Sequence, residues 1–281
     1  MTMQIVLRTT NDGMVLASDT KIRTMAKKDE DEGSVESRVR VRGLSNSTKV
    51  VLSKRHEVAI AFSGSDERSS DPAKGLADYL SEQGAIPEEP HDVVHLLEGW
   101  GSEFAQSKTP EQLTRCTLLV IIPHHPRCRA YKLLVDSNSH ADMSYTYMVA
   151  GDENNPAIFW PEYLKCDEER YDLHATTKIA AYTILMAAKL NSPGVGGLEI
   201  WQYDGAWRSL QLSEIESIEA SFAVSQASIR EEFVGRSKFD SVLRSLINTK
   251  SRTFEDVVAQ PKLRKDGALK RSARKPAVSG A

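Results

Sequence analysis

The sequence of 281 residues predicts an α+β fold with four layers, αββα, in which two antiparallel sheets pack on each other and are flanked by helices. Three observations predict this class. Two β-rich runs surround a turn signal, Asn11-Asp12-Gly13, at the start of the chain. Apolar residues then recur at helical spacing, and β-rich runs return between and after these helical stretches. The hairpins therefore form two groups with helical pairs between them, as expected for two packed sheets with outer helices.

The first elements are predicted to be antiparallel strands. Residues 3–9 and 14–20 form the opening hairpin, and the segments "KVVLS" and "EVAIAFSGS" give two further strands, joined by a turn at residues 54–56. An insertion at residues 23–46 separates the two hairpins. Its charge run "KKDEDEG" and the alternating "SRVRVRG" after it predict a surface loop or a protruding hairpin.

Helices follow these strands, and the alternation then repeats. Pro72 suits the first turn of one helix, and residues 91–105 form a second, whose buried face consists of Val93, Leu96, Leu97, Trp100 and Phe104. Strands return at "CTLLVII", "RAYKLLVD" and "SYTYMVA", and a helix is predicted over residues 173–190. A hairpin turning at Asp204-Gly205 leads to a helical pattern from residue 213 to about 248. We therefore predict one domain over residues 1–248 and a basic, flexible tail over residues 249–281.

The charge is distributed unevenly along the chain. The net charge is −3, but residues 261–281 carry +6 and the remainder carries −9. An overall balance this close to neutral excludes binding of nucleic acid by bulk charge. We expect the basic tail to be solvated, with contact to an acidic partner or to nucleic acid as the alternative.

The cysteines and the amino terminus bear on the compartment. Cys116, Cys128 and Cys166 are odd in number and show no C-x-x-C spacing, which is typical of reduced thiols rather than of a disulfide framework. No signal-peptide pattern and no apolar run long enough to span a membrane is visible. We expect a cytoplasmic protein without a membrane partner.

Two segments that suggest a cofactor have simpler interpretations. "PHHPRC" contains His124, His125 and Cys128, but no second ligand pair accompanies them, so we interpret it as a loop between strands. The glycine-rich "SPGVGG" precedes a strand, whereas a phosphate-binding loop requires a helix to follow. Neither a metal nor another cofactor is expected.

Thr2 is a candidate nucleophile because of its position. Methionine aminopeptidases generally remove Met1 when a small residue such as threonine follows, so Thr2 can become the free amino terminus. Its α-amine, with a reference pKa of about 8, can then take the proton of its own hydroxyl directly or through one water. A threonine at position 2 does not by itself indicate a nucleophile, so the prediction depends on the residues that lie next to it.

Asp19 is the first predicted neighbour. If the opening hairpin turns on Asn11-Asp12 or on Asp12-Gly13, paired positions sum to an odd number. Strand alternation then sets Thr2 and Asp19 on the same face of the hairpin.

The sequence around these residues resembles a known family. "DGMVLASDT", "STKVVLS" and "VAIAFSGSD" are similar to three motifs of proteasome β-type subunits, which are amino-terminal-nucleophile hydrolases. "GDENNP" and "GVGG" resemble more loosely the bacterial proteasome-like proteins called ancestral β-subunits. The resemblance implies that Thr2 attacks a peptide carbonyl, that Asp19 and Lys49 form its charged support, and that the Gly64 N–H stabilises the oxyanion.

The four residues that flank these positions are predicted to bind substrate. Thr20 and Lys21 follow the aspartate, and Ser63 and Ser65 flank the turn glycine. Capping of the next helix is the alternative for the two serines.

The sequence also departs from the family pattern. Gly151 stands where the family commonly has an active-site serine, and Ser192 and Val195 stand where it has an aspartate and a second serine. These departures favour the alternative of a catalytically inactive structural subunit. A small-molecule amidase on the same fold is another alternative.

The leading hypothesis is a threonine peptidase that uses the free Thr2 to hydrolyse peptide bonds. The resemblance implies a homo-oligomer, a ring or related assembly that encloses the sites and takes an unfolded polypeptide as substrate. An ATP-dependent unfoldase partner is consistent with the family.

Overall fold

The computed structural model describes residues 2–25, 41–46, 48–64, 69–109, 116–124, 127–151, 154–191 and 195–230. The chain divides into two compact units, Met1–Phe222 and Ala223–Ala281. The first unit holds every described strand, and the described part of the second is the end of the last helix. The tail predicted at residues 249–281 lies outside the described residues.

The order of elements alternates between strands and helices, as predicted. The strands are β1 (Met3–Arg8), β2 (Met14–Ser18), β3 (Lys21–Met25), β4 (Val41–Asn46), β5 (Val50–Leu52), β6 (Ala59–Gly64), β7 (Cys116–His124), β8 (Arg127–Val135), β9 (His140–Ser144), β10 (Tyr147–Gly151), β11 (Glu199–Tyr203) and β12 (Trp207–Ser209). The helices are α1 (Ser70–Glu82), α2 (Pro90–Gln106), α3 (Phe159–Tyr163), α4 (Leu173–Leu190) and α5 (Leu212–Arg230). A 3₁₀ turn over Pro156–Ile158 precedes α3.

Two five-stranded antiparallel sheets form the body of the first unit. One has the order β10-β1-β2-β11-β12 and contains the amino-terminal strand, and the other has the order β5-β6-β7-β8-β9. The ends of the predicted insertion, β3 and β4, pair as a separate two-stranded sheet. Of the two alternatives for this segment, the described part therefore favours a hairpin; residues 26–40 lie outside the described residues.

Three groups of buried side chains define four layers. Val6 and Leu119 belong to the core between the two sheets. On the outer face of the second sheet, Leu76 of α1 and Leu97 of α2 are fully buried. Ile184 of α4 packs on the outer face of the first sheet, where side chains of α5 join it. The predicted αββα order is confirmed.

The helices begin and end close to the predicted positions. α4 matches its predicted span, and its first turn is capped by the Asp172 carboxylate, which accepts the N–H of Ala175 at 2.7 Å. α2 is one residue longer at each end than predicted, and α1 begins two residues before Pro72. α5 is described as far as Arg230, so its predicted continuation to residue 248 lies outside the described residues. Within the described ranges, none of the helices combines the length and apolar composition needed to cross a membrane.

The opening hairpin has a different register from the predicted one. Gln4 pairs with Ser18, so paired positions sum to an even number. The connection is a three-residue loop, because the Thr9 N–H bonds the Gly13 C=O at 3.0 Å and Asp12 takes the left-handed conformation with φ 59°. The prediction of an odd sum is wrong because it assumed a two-residue turn.

Asp12 also neutralises a buried arginine next to this loop. Its Oδ1 accepts Arg8 Nη2 at 2.6 Å and Arg170 Nη1 at 3.1 Å, and the Arg8 side chain is 3% exposed. Asp12→Asn keeps a residue that tolerates the left-handed conformation but removes the charge. We expect a loss of about 1–3 kcal/mol in the free energy of unfolding, measured by urea denaturation. Asp204→Asn, at an exposed turn of another hairpin, is the control, and equal losses in both variants would contradict the role of the charge.

Candidate active site

A buried ion pair lies beside the hydroxyl of Thr2. Lys49 Nζ donates to Asp19 Oδ2 at 2.9 Å and to Thr2 Oγ1 at 3.0 Å. Thr2 is 6% exposed, Lys49 2% and Asp19 0%. Lysine and aspartate are rarely buried to this degree unless they are paired. Three of the residues chosen from the sequence therefore meet at a single ammonium group.

Asp19 reaches this ammonium because β2 ends one residue before it. Its N–H donates to the Met3 C=O at 3.1 Å, and its Oδ1 accepts the Met3 N–H at 2.9 Å. In the observed register, strand alternation alone places Thr2 and Asp19 on opposite faces, so the predicted argument from alternation is wrong. The two residues are instead joined by Lys49, which arrives from the other sheet.

The main chain at Lys49 is held by both sheets. Its C=O accepts the Phe62 N–H at 3.1 Å within its own sheet. Its N–H donates to Glu199 Oε2 at 3.0 Å, and this carboxylate belongs to β11 in the other sheet. Glu199 Oε1 accepts Trp201 Nε1 at 2.8 Å and the Thr48 hydroxyl. The role of Glu199 could not be predicted from the sequence, because no local motif links it to a residue 150 positions earlier.

A second side chain links the sheets close to Thr2. Gln4 Nε2 donates to the Phe62 C=O at 2.8 Å and to Ser18 Oγ at 3.3 Å. Phe62 lies two residues before Gly64 at the end of β6, and Gln4 lies two residues after Thr2. This contact brings the end of β6 that carries Gly64 to the amino-terminal end of β1.

Burial opposes the charged forms of both members of the ion pair. It lowers the pKa of Lys49 and raises the pKa of Asp19, while the charge of each partner acts in the opposite direction. Hydrogen bonds from the N–H groups of Met3 and Gly196 also favour the Asp19 carboxylate, and the charge of Glu199 favours the Lys49 ammonium. In its charged form, the Lys49 side chain places a positive charge, shielded from water, against a hydroxyl oxygen on which negative charge can develop.

The segment before β11 holds Asp19 through its main chain. The Gly196 N–H bonds the Asp19 carboxylate, and the Gly196 C=O accepts the Thr20 N–H at 3.1 Å. Val195 is 1% exposed and packs in the core between the first sheet and α4, whereas Ser192 lies outside the described residues. The contact with Gly196 could not be predicted from the sequence, because a main-chain contact leaves no side-chain signal.

Gly151 occupies a position that leaves no room for a side chain. It pairs with Met3 in the ladder between β10 and β1 and has φ +95°. A Cβ atom on Gly151 would lie 1.9 Å from the carbonyl oxygen of Thr2. A glycine therefore stands here because the β10 main chain passes directly beside Thr2.

The predicted substrate-binding residues have varied surroundings. Thr20 is half-buried next to Asp19. Lys21 is the first residue of β3, and its side chain passes close to Gly196: a Cβ added to Gly196 would lie 3.2 Å from Lys21 Cδ. Ser63 is buried and its hydroxyl donates to the Thr117 C=O at 3.2 Å. Ser65 lies outside the described residues. Their contact with substrate stays a prediction.

The histidine and cysteine segment lies in a hairpin between β7 and β8. His124 ends β7, and Cys128 in β8 is 3% exposed, with burial raising the pKa of its thiol to about 12. His125 lies outside the described residues. Over the ranges that are described, no group of three or more His, Cys, Asp or Glu side chains is placed to hold a metal ion.

Comparisons with known proteins address the fold. No protein-family model and no curated protein matches the sequence. Anbu (ancestral beta-subunit) from Yersinia bercovieri is a solved structure with a TM-score of 0.55 and 16% identity, covering 81% of this chain and 95% of that one. Anbu from Hyphomicrobium sp. strain MC1 gives a TM-score of 0.57 at 12% identity, with 82% and 96% covered. An Anbu (Gly-1) mutant from the same strain gives 0.55 at 13% identity, with 83% and 96% covered.

These likenesses concern architecture. The identities of 12–16% are low, whereas more than nine-tenths of each solved chain is matched. They agree with the two five-stranded antiparallel sheets and flanking helices described above. The chain therefore has the fold of the Anbu structures.

Proposed function

We propose that this chain is a threonine peptidase whose nucleophile is the hydroxyl of Thr2 after removal of Met1. The observation that carries the proposal is the position of Lys49 Nζ, 3.0 Å from Thr2 Oγ1 and 2.9 Å from Asp19 Oδ2. Burial of two charges costs several kcal/mol per ion, which their attraction offsets only in good geometry. An inactive shell subunit has no use for such a pair beside its second residue, so the pair favours the enzyme over the structural alternative.

The first chemical step is attack by Thr2 on a peptide carbonyl. Removal of Met1 converts the amide nitrogen of Thr2 into an amine that can take the hydroxyl proton, directly or through one water. The Lys49 ammonium keeps this amine neutral and basic by like-charge repulsion, and it stabilises negative charge that develops on Oγ1. Asp19 holds the ammonium in place and favours its charged form.

The remaining steps use the same groups. In the proposal, the N–H of Gly64 donates to the oxyanion of the tetrahedral intermediate, where loss of one donor typically lowers the rate by about 10²–10³. The Thr2 ammonium then gives its proton to the leaving amine as the C–N bond breaks. Water, activated by the same amine, hydrolyses the resulting ester on Thr2 Oγ1 and restores the free hydroxyl.

A β-lactone tests the nucleophile directly. Attack of the hydroxyl on the lactone carbonyl breaks the ring C–O bond, and the ring oxygen takes the proton, so the product retains the whole mass of the reagent. We expect the purified chain to lack Met1 by intact mass and to gain one lactone, located on Thr2 by peptide mapping. Thr2→Ala should gain none, and Thr2→Ser should react.

The control is Thr10→Ala, since Thr10 is an exposed residue of the first hairpin loop, and it should react like the native chain. Retention of Met1, or modification only at residues other than Thr2, would overturn the proposal. A protein that forms the adduct and hydrolyses small amides without cleaving peptides would be the amidase of the alternative hypothesis.

The proposal extends to a self-compartmentalised homo-oligomer in the cytoplasm, a ring or related assembly that takes unfolded polypeptide. An ATP-dependent unfoldase as partner belongs to the same proposal. Its support is the fold shared with proteins named as ancestral beta-subunits. We expect light scattering to give a molar mass that is a multiple of the 31.2 kDa chain, and a monomer would contradict the assembly.

A further inference from the structure

We propose that Glu199 is a positioning residue of this site, which fixes the main chain at Lys49 and thereby the reach of the lysine ammonium to Thr2. The inference rests on the proposed function for its kinetic consequence. Its structural part, the dependence of Lys49 on Glu199, holds whether or not the protein is a peptidase.

The main-chain contact is the first argument. Lys49 lies just before β5, so its N–H is not part of the ladder that begins at Val50. The Glu199 carboxylate accepts this N–H at 3.0 Å, and with its other oxygen it accepts the hydroxyl of Thr48. Two consecutive residues before β5 are thus tied to one carboxylate. Bonds to a charged acceptor of this kind are stronger than neutral ones.

The origin of Glu199 in the other sheet is the second argument. In β11 it pairs with Ser18, the residue directly before Asp19, and its neighbour on the same face, Trp201, packs against the core between the sheets. The indole Nε1 of Trp201 donates to Glu199 at 2.8 Å and orients the carboxylate. Glu199 therefore holds Lys49 in a defined position relative to β2 and β11, and Asp19 directly follows β2.

The contact between Glu199 and Lys49 joins the two sheets, and the distance from Lys49 Nζ to Thr2 Oγ1 depends on how the sheets are placed. Thr2 directly precedes β1 and Asp19 directly follows β2, both strands of the first sheet, whereas Lys49 directly precedes β5 of the second. Any shift between the sheets changes the distance from Lys49 Nζ to Thr2 Oγ1. A displacement of about 1 Å at a reacting group can lower a rate by about 10².

The charge of Glu199 adds a second effect on Lys49. The charged groups that act on the lysine are Asp19, at the end of β2, and Glu199 on β11; both favour the ammonium against burial. Once Met1 is removed, the α-amine of Thr2 also faces the lysine, and its protonated form opposes the ammonium by like-charge repulsion. Removal of the Glu199 charge alone should therefore lower the pKa of Lys49, whereas removal of the carboxylate also releases the main chain.

Two variants of the full chain separate these effects. Glu199→Gln keeps the size and an oxygen acceptor but loses the charge, and Glu199→Ala loses both. Glu103→Gln is the matched control, because it makes the same change at an exposed glutamate of α2. Two quantities are measured: the rate of β-lactone acylation at Thr2, and the titration of Lys49 by NMR of ¹³C-lysine, assigned by signal loss in Lys49→Met.

The expected results differ for each variant. Glu199→Ala should slow acylation by about 10². Glu199→Gln should lower the pKa of Lys49, with a smaller loss of rate than in Glu199→Ala. Glu103→Gln should titrate and react like the native chain. Because Gln is close in size to Glu, Glu199→Gln decides the question if Glu199→Ala fails to fold.

A native titration of Lys49 and a native acylation rate in the Glu199 variants would overturn the inference. Failure of the proposed function has a different signature: the native chain then forms no adduct on Thr2, while the NMR titration still reports whether Lys49 depends on Glu199.

Discussion

Lys49→Met is expected to remove most of the reactivity of Thr2 and to destabilise the fold. Methionine fills a similar volume but has no ammonium, so nothing supports charge on Oγ1 or lowers the pKa of the α-amine. We expect β-lactone acylation of Thr2 to slow by about 10²–10⁴, measured by intact mass against time. Lys54→Met, at an exposed turn lysine, is the matched control and should react like the native chain.

The stability loss should depend on pH with a definite sign. Lys49→Met leaves a fully buried Asp19 without its counter-charge, and breaking a buried pair typically costs about 3–5 kcal/mol. Burial already raises the pKa of Asp19, and loss of Lys49 raises it further. When the pKa of a carboxyl group is higher in the folded state than in the unfolded state, the group contributes stability at low pH. This contribution is lost as the pH rises through the folded-state pKa.

The difference in unfolding free energy between Lys49→Met and the native chain should therefore increase from about pH 4 towards pH 8, as measured by urea denaturation at each pH. The double variant Lys49→Met with Asp19→Asn removes both charges, so it should recover part of the stability and lose this pH dependence. A difference that stays constant with pH would show that Asp19 is not the titrating group.

Gly151→Ala is expected to be among the most damaging single-methyl additions in the described part of the fold. The new Cβ would lie 1.9 Å from the Thr2 carbonyl oxygen, in a backbone conformation with φ +95° that an alanine avoids. The position of the Cβ is fixed by the main chain of residue 151, and the atom it meets is a main-chain oxygen, so a side-chain rotation cannot relieve the clash. We expect a loss of about 3 kcal/mol or more in the free energy of unfolding.

A second glycine separates the two causes. Gly205 also has a positive φ of +84°, but a Cβ there meets nothing within 4 Å. Gly205→Ala therefore measures the backbone strain alone, about 1–2 kcal/mol. Equal losses at Gly151 and Gly205 would contradict the close approach to Thr2.

The close approach of Gly151 to the Thr2 carbonyl also predicts the effect of a serine at position 151. Gly151→Ser introduces the residue that the resemblance to proteasome β-type subunits implies at this position, yet its Cβ meets the same carbonyl oxygen of Thr2. We expect this variant to lose stability as Gly151→Ala does and to gain no reactivity at Thr2.

Much of the architecture could be predicted because its signals are local. The apolar spacing of residues 173–190 predicts the span of α4, and the hairpin and helix groups predict the αββα layers. The register of the first hairpin could not be predicted. It depends on whether Asp12 or Gly13 takes the left-handed conformation, and Asn-Asp-Gly permits both choices.

The candidate site also combines features that could be predicted from local signals with features that could not. The sequence by itself was enough to select Thr2, Asp19 and Lys49 as candidates, because side-chain type and flanking motifs are local signals. Tertiary structure alone decided how they meet: Lys49 crosses between the sheets, Glu199 holds it, and Gly151 admits the main chain beside Thr2. The physical reason is distance along the chain: the periodicity of a segment reports only its own strand or helix, whereas the contacts of Glu199 with the other sheet join positions 150 and 151 residues apart.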